Sequence, residues 1–299
     1  MKILRTPDDR FANLPEYGFE PQYVDDLKGY EGLRVHYINE GSEDAQSTFL
    51  CLPGEPTWGY LYRRMIPIFS GAGTRVVVPD WLGFGRSDKP VDDDVYCFDF
   101  HRNMMLAFID KLDLQNITLV VQDWGGILGL TLPMDMPDRF ARLIVMNTAI
   151  PIGESLGAGF QGWRDYVASR PDMNCAALMK RACPHLSDAE AQAYEAPFPD
   201  QRYKAGVRRF PQMVMIGPGM DGIETAKRAR QFWQHEWQGD CFMAIGAKDP
   251  VLGVPVMSEL QQIIRGCPDP MVLQEAGHFV QEWGEQVARA ALAHFGESQ

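Results

Sequence analysis

The stretch that most constrains the fold of this chain is residues 117–130, which read ITLVVQDWGGILGL. Its first half is a short run of β-branched and apolar residues, which predicts a strand buried on both faces of a parallel sheet. A helix is predicted from Ile127, so Asp123 lies on an abrupt turn where Gly125 and Gly126 allow a close backbone approach. This arrangement is typical of a nucleophile elbow, in which one side chain is raised above a sheet at the start of a helix.

The raised side chain is the carboxylate of Asp123. A carboxylate at a helix N-terminus is stabilised by the helix dipole and by free backbone N–H groups, so we expect Asp123 to be ionised at neutral pH. An isolated Asp-x-Gly is more often an ordinary N-cap. The positions of other reactive groups along the chain distinguish these two roles.

The composition indicates one large globular domain, or a domain that carries an insertion. The chain has 299 residues, 45% of them hydrophobic, which is enough for a sizeable core. Its net charge of −12 argues against nucleic acid and anionic membranes as partners. The N-terminal residues resemble neither a signal peptide nor a transit peptide, and no apolar run suits a bilayer, so we expect a cytoplasmic protein. The six cysteines have no zinc-type or C-x-x-C spacing, which favours reduced thiols and no metal site.

Strands and helices alternate along most of the chain, which predicts β-α-β units and a mostly parallel α/β sheet with helices on both faces. Strands are predicted at residues 33–39, 47–52, 74–79, 117–121, 142–147, 241–246 and 271–274. Between about 150 and 220 the sequence instead predicts helical fragments broken by Pro and Gly, with a capping box at 187–190. We therefore predict a core in two parts, residues 1–149 and 223–299, and a helical cap over residues 150–222, inserted after the strand at 142–147.

Two further reactive groups follow later strands. Asp249 lies just after the strand at 241–246, and His278 lies just after the strand at 271–274. No carboxylate occurs at residues 145–149, at the end of the strand before the cap, so the acid is expected at Asp249. The order nucleophile, acid, histidine is that of the α/β-hydrolases, and it favours a catalytic triad of Asp123, Asp249 and His278.

Five segments make the chain resemble the haloalkane dehalogenases, from about residue 30 to residue 295. They are GEPTW at 54–58, PDWLGFGRSDKP at 79–90, VQDWGG at 121–126, FMAIGAKDP at 242–250 and EAGHFVQE at 275–282. The elbow at 121–126 carries Asp123 in the place of the serine of a Gly-x-Ser-x-Gly elbow, which argues against ordinary serine esterases and lipases. The resemblance implies the α/β-hydrolase fold and hydrolysis of a small haloalkane by water to an alcohol, a halide ion and a proton, without a metal or other cofactor. A monomer is expected.

The resemblance also implies a role for each site residue. Asp123 displaces the halide and becomes an alkyl ester, and His278 is the general base for the water that hydrolyses this ester. Asp249 orients the imidazole of His278. The backbone N–H groups of Glu55 and Trp124 form the oxyanion hole.

A departing halide needs hydrogen-bond donors in a dry pocket, and an indole N–H is a donor with no competing acceptor. Trp124 is the expected first donor. In part of the family the second donor is the residue at the position of Glu55, but a carboxylate there would repel a halide. Other relatives carry the second donor at the position of Ala182, which has no side-chain donor. We therefore expect Trp163 as the second donor, with Trp233 and Trp58 as alternatives. The expected pocket-lining aromatics are Phe160, Phe198, Phe210 and Phe232.

Three rival functions stay open at the level of sequence. An epoxide hydrolase would need cap tyrosines to protonate the epoxide, and the candidates are Tyr166, Tyr194 and Tyr203. A fluoroacetate dehalogenase is expected to carry arginine after the nucleophile, where this chain has Trp124. A non-catalytic ligand-binding protein on the same fold is indicated only by Pro53, which replaces the usual histidine of the oxyanion loop and lacks an N–H.

Overall fold

A computed structural model of the chain describes residues 1–297. The strands in this range are β1 (Ile3–Leu4), β2 (Gln22–Val24), β3 (Val35–Glu40), β4 (Thr48–Leu52), β5 (Arg75–Pro79), β6 (Lys89–Pro90), β7 (Ile117–Gln122), β8 (Phe140–Met146), β9 (Asp240–Gly246) and β10 (Met271–Leu273). The α-helices are α1 (Ile66–Gly71), α2 (Phe98–Lys111), α3 (Trp124–Gly129), α4 (Gly157–Ala168), α5 (Cys175–Ala182), α6 (Asp188–Ala193), α7 (Ala205–Met213), α8 (Ile223–His235), α9 (Val254–Ile263) and α10 (Gly284–His294).

Eight of the strands form one central sheet in the order β10-β9-β8-β7-β4-β5-β3-β2. The pairings from β10 to β5 are parallel, whereas β3 and β2 are antiparallel to their neighbours at the far edge. Every residue of the central strands β4 and β7 is buried, as expected for apolar runs covered by helices on both faces. The predicted mostly parallel α/β sheet is confirmed. The strands β1, β2 and β6 were missed because they are only two or three residues long.

The parallel strands place their carboxyl ends along one edge of the sheet. At this edge Gln122 of β7 is paired with Met146 of β8, which is paired in turn with Ala244 of β9. The loops that follow β7, β9 and β10 therefore meet here. In parallel α/β sheets this edge is where ligands bind.

Residues 150–222 lie between β8 and α8 and contain the helices α4 to α7. None of these residues, all of which the structure describes, forms a strand. The capping box is present at the start of α6, where the Ser187 hydroxyl accepts from the Glu190 N–H and the Glu190 side chain accepts from the Ser187 N–H. We use the term cap for residues 150–222, which follow the sixth strand of the central sheet along the chain.

A buried ion network joins the cap to the core. The fully buried guanidinium of Arg63 donates to both carboxylate oxygens of Glu282, at 2.8 and 2.9 Å, and to Glu190 of the cap at 3.1 Å. Arg64 also donates to Glu282, at 2.9 Å, and the hydroxyl of Tyr194 donates to the same carboxylate. The network therefore joins Arg63, Arg64 and Glu282 of the core to Glu190 and Tyr194 of the cap.

Three findings bear on the expectations from composition. No helix within residues 1–297 is long and apolar enough to span a bilayer. The six cysteines are unpaired. In the described part of the chain, no cluster of three or more His, Cys, Asp or Glu side chains is arranged to hold a metal ion.

Candidate active site

Asp123 is held in a strained backbone conformation between β7 and α3. Its φ of 49° and ψ of −123° lie in a sparsely populated region, which costs about 1–3 kcal/mol and persists only where the surroundings enforce it. The surroundings are crowded. A Cβ at Gly125 would lie 1.9 Å from the carbonyl oxygen of Leu52, and one at Gly54 would lie 2.5 Å from the Asp123 Cβ. The glycines at these two positions therefore allow the elbow to form.

The structure brings the three predicted triad residues together. Nδ1 of His278 lies 2.7 Å from Oδ2 of Asp249, and its Nε2 lies 3.5 Å from Oδ2 of Asp123. The other oxygen of Asp249 accepts from the backbone N–H groups of Val251 and Leu252, at 2.9 and 3.0 Å. Burial alone would raise the pKa of Asp249, but His278 and these hydrogen bonds outweigh it and hold the pKa well below its usual range. Asp249 is therefore an ionised acceptor for the imidazole.

Asn147 is a site residue that the sequence analysis missed. Its side-chain amide donates to Oδ2 of Asp249 at 2.9 Å and to the carbonyl of Gly246 at 3.1 Å, while its oxygen accepts from the Gly246 N–H at 2.8 Å. It thus fixes Asp249 relative to the end of β9. A polar residue at the end of the apolar strand predicted at 142–147 was the signal that could have identified it.

The protonation of His278 is set by opposing effects. Burial would lower the pKa of the imidazole, but the carboxylates of Asp249 and Asp123 outweigh it and raise the pKa to about 10. While both carboxylates are charged, these two charges favour the imidazolium form at neutral pH.

One of the two predicted oxyanion-hole donors contacts the nucleophile. The backbone N–H of Glu55 donates to Oδ1 of Asp123 at 2.8 Å. Among the described residues, no hydrogen bond joins the Trp124 N–H to this carboxylate, so its role stays a prediction. The carbonyl oxygen of Pro53 accepts from the indole N–H of Trp81 at 2.7 Å.

The side chain of Glu55 is buried beside the nucleophile. Burial raises the pKa of this carboxyl well above its usual range, the charge of Asp123 raises it further, and His278 opposes the shift. Oε1 of Glu55 has no hydrogen-bond partner within residues 1–297. Glu55 was expected from the sequence to be an ionised group that repels halide, whereas burial beside Asp123 favours its neutral acid.

A cavity of about 550 Å³ lies over Asp123, between the carboxyl edge of the sheet and the cap. This volume is typical of a pocket for a small molecule. Most of its wall is apolar and includes Ile127, Ala149, Leu156, Leu178, Val214 and Leu252. Three exposed charged residues border the opening, namely Arg181, Lys248 and Glu275, and the last two form an ion pair. The nucleophile therefore faces an apolar chamber that opens to solvent past charged groups.

Comparison with known proteins identifies the family. Residues 47–285 match the model of the alpha/beta hydrolase fold family. A haloalkane dehalogenase from Psychrobacter cryohalolentis is 46% identical, over 97% of this chain and 96% of that protein. The chain belongs to the haloalkane dehalogenases. A further member, from Mycolicibacterium paratuberculosis, is 37% identical over 98% of both chains. The solved structure of the tetrameric haloalkane dehalogenase DpaA from Paraglaciecola agarilytica NO2 is 54% identical, covers 98% of both chains and superposes with a TM-score of 0.96.

The cavity of this dehalogenase contains two of the tryptophans named as halide donors. Trp124 and Trp163 both line it. The alternatives do not, since the indole N–H of Trp233 donates to the carbonyl of Leu130 at 2.7 Å and that of Trp58 donates to the carbonyl of Ala193 at 3.1 Å. Ala182 also lines the cavity and supplies no donor.

The expectation for the pocket aromatics needs correction in three of four cases. Phe160 lines the cavity, but Phe198, Phe210 and Phe232 do not. The ring of Phe210 packs behind Trp124, with ring centroids 4.7 Å apart, so the helix α7 reaches the cavity through Pro211, and Val214 directly after the helix also lines it.

The remaining two phenylalanines are core residues. Phe198 packs near Phe84, with ring centroids 6.4 Å apart. Phe232 packs against Trp233 on α8, with ring centroids 5.6 Å apart. Membership of the cap, or proximity to it in sequence, did not determine the direction of these side chains.

The tyrosines required for an epoxide hydrolase are absent from the cavity wall within the described range. Tyr194 donates its hydroxyl to Glu282 in the buried ion network. Tyr166 stacks on the ring of Trp163, with centroids 5.8 Å apart, and does not line the cavity. Tyr203 lies in a short 3-10 turn before α7, away from the cavity wall.

Proposed function

We propose that this chain hydrolyses small, uncharged haloalkanes to an alcohol, a halide ion and a proton through an alkyl ester on Asp123. The observation that carries the proposal is a carboxylate in the place of the usual serine, facing an apolar cavity with its Oδ2 3.5 Å from Nε2 of His278. A carboxylate can displace a halide at an sp3 carbon, which splits one difficult hydrolysis into two steps.

The first step forms the ester. Oδ1 of Asp123 is held by the Glu55 N–H, so Oδ2 is the oxygen that is free to attack the carbon. The new C–O bond forms as the carbon–halogen bond breaks, and its electron pair leaves with the halide. We assign Trp124 and Trp163 as the donors that receive the halide, because both line the cavity and an indole N–H suits an anion.

The second step hydrolyses the ester. Nε2 of His278 accepts a proton from water while the water oxygen attacks the ester carbonyl carbon, and the Glu55 N–H stabilises the oxyanion that develops on Oδ1. The tetrahedral intermediate collapses and expels the alkoxide, which takes the proton from the imidazolium and leaves as the alcohol. The acid regenerated on Asp123 then releases its proton to solvent.

Esterification itself creates the base that the second step needs. The carboxylates of Asp249 and Asp123 together raise the pKa of His278 to about 10. The ester removes the charge of Asp123, so the pKa falls and the neutral imidazole becomes available. Hydrolysis of the ester therefore increases as the pH rises through this lower pKa and is lost as the pH falls below it.

A substrate panel tests the proposal against its rivals. We expect stoichiometric release of halide and alcohol from short bromo- and chloroalkanes, and no turnover of styrene oxide, because no tyrosine lines the described cavity. Fluoroacetate is also expected to be inert, since Trp124 occupies the place of the carboxylate-binding arginine. The Asp123→Asn variant is the blank. Turnover of styrene oxide without halide release from any haloalkane would show that the proposal is wrong.

A second experiment tests Trp163 as a halide donor. Removing one hydrogen bond to a charged group costs about 1.5–3 kcal/mol, so Trp163→Phe should weaken bromide binding about tenfold to a hundredfold and slow dehalogenation. Quenching of tryptophan fluorescence by bromide gives the dissociation constant. The matched control is Trp233→Phe, which loses an indole outside the cavity and should retain the wild-type dissociation constant. Weaker bromide binding in Trp233→Phe, together with the wild-type dissociation constant in Trp163→Phe, would assign the second donor to Trp233 instead.

The predicted partners are limited to small molecules. The net charge of −12 argues against nucleic acid and anionic membranes. A relative that is 54% identical is described as a tetramer, so the expected monomer stays a prediction. The expected cytoplasmic location also stays a prediction.

A further inference from the structure

Gln122 is a fully buried residue that the two steps above do not use. It is the last residue of β7, directly before the nucleophile. Its side-chain nitrogen lies 2.9 Å from Nε2 of His278 and 3.1 Å from the carbonyl oxygen of the same residue. Its oxygen, Oε1, is buried and has no hydrogen-bond partner in the described part of the chain. A buried amide with half of its hydrogen-bonding capacity unused requires an explanation.

The contact with the backbone fixes the orientation of this amide. The carbonyl oxygen of His278 can only accept, so the group that faces it must be the NH2 of Gln122. The second hydrogen of that NH2 is then available to Nε2 of the imidazole at 2.9 Å. A hydrogen bond there requires Nε2 to carry a lone pair. The geometry is therefore that of a neutral His278, with its proton on Nδ1 facing Asp249.

Charged groups near the imidazole of His278 favour its protonated form instead. The carboxylates of Asp249 and Asp123 favour the imidazolium, and the Glu55 carboxyl adds little while it is neutral. The remaining charged residues that line the same cavity are exposed at its opening: Arg181, Lys248 and Glu275. Gln122 is the group in contact with Nε2 whose hydrogen bond selects the form that can act as a base.

We infer that Gln122 is a positioning residue that holds Nε2 of His278 as a proton acceptor, so that the ester on Asp123 meets a base and not an imidazolium. The inference rests on the proposed function. After water has transferred its proton to Nε2, the same amide N–H faces an N–H and repels it. This repulsion favours delivery of the proton to the departing alkoxide, so one contact promotes both proton transfers of the second step.

The first test measures the pKa of His278 directly and needs no turnover. The Asp123→Asn variant removes the charge of the nucleophile, as the ester does, with almost no change of shape. In this background, 15N NMR should show that Gln122→Met raises the pKa of His278 by about half to one pH unit, because a donor to the neutral form is lost. Gln122→Glu should raise it further, because its carboxylate favours the imidazolium. An unchanged pKa in both variants overturns the inference.

A control variant separates this effect from the general loss of a glutamine side chain that donates to a backbone carbonyl. The side chain of Gln261 also donates to a backbone carbonyl, that of Pro268 at 2.9 Å, but it does not line the cavity. Gln261→Met should leave the pKa of His278 unchanged. An equal shift in Gln261→Met would contradict a local role for Gln122.

The second test separates the two chemical steps in the wild-type background. In rapid-quench experiments, Gln122→Met should form the ester and release the first halide at the wild-type rate. It should hydrolyse the ester about tenfold more slowly at neutral pH, and this deficit should shrink as the pH rises. Equal slowing of both steps at every pH would indicate a purely structural role and overturn the inference. Failure of the proposed function has a different signature, namely no ester in the wild-type enzyme, and it leaves the NMR result unaffected.

Discussion

Replacing His278 with alanine is expected to give a protein that releases one halide per active site and then stops. Only the second step needs a base, because the attack of the Asp123 carboxylate on the haloalkane transfers no proton. The imidazole lies 3.5 Å from that carboxylate and 2.7 Å from Asp249, and within residues 1–297 no other base contacts both. A general base is typically worth about 10²–10⁴-fold, and steady-state turnover should fall by at least that factor.

Pre-steady-state halide release measures this outcome. The wild-type enzyme should continue to turn over after the first halide, and His278→Ala should show a burst of no more than one equivalent. His235 at the exposed end of α8 offers a control, since His235→Ala should leave both phases unchanged. Sustained turnover by His278→Ala would mean that another group activates the water.

Replacing Arg63 with methionine is expected to cost about 3–5 kcal/mol of stability, because it leaves the fully buried carboxylate of Glu282 with only part of its charge compensation. Arg63 is fully buried and contacts Glu282 of the core as well as Glu190 of the cap. Thermal and denaturant unfolding should both show the loss. Since residues of the cap form part of the cavity wall, activity should also fall at temperatures below the unfolding midpoint.

Two controls identify the cause of that loss. Arg202 forms an exposed ion pair with Asp200 on the surface of the cap, and Arg202→Met should have no measurable effect. The double variant Arg63→Met with Glu282→Leu should recover part of the stability, because replacing a whole buried ion pair by apolar groups costs less than breaking it. A wild-type unfolding midpoint in Arg63→Met would contradict the assigned role of the network.

The sequence predicted the features whose signals are local. The buried run before Asp123, the glycines after it and the positions of Asp249 and His278 at strand ends follow from strand pattern and turn chemistry alone. Parallel strands bring their carboxyl ends to one edge, so three strand-end residues could be placed together without any knowledge of packing. The sheet and the proximity of the three side chains therefore required no long-range information.

The features that were missed depend on packing between distant segments. Phe210 and Pro211 are neighbours on α7, yet only Pro211 faces the cavity, because Phe210 packs on Trp124. The ionisation of Glu55 depends on its burial beside Asp123, which no local pattern reveals. The contacts of Asn147 with Asp249 and of Gln122 with His278 form only because folding brings the loops after β9 and β10 beside them.

The most direct test of the central claim is the mass of the His278→Ala protein after it has reacted with 1-bromobutane. If Asp123 is the nucleophile, the intact protein gains the mass of one butyl group, and peptide mapping places that group on Asp123 as an ester that is released by mild base. The Asp123→Asn, His278→Ala double variant should gain nothing. Halide release without any covalent adduct, or a butyl group on another residue, would contradict the account.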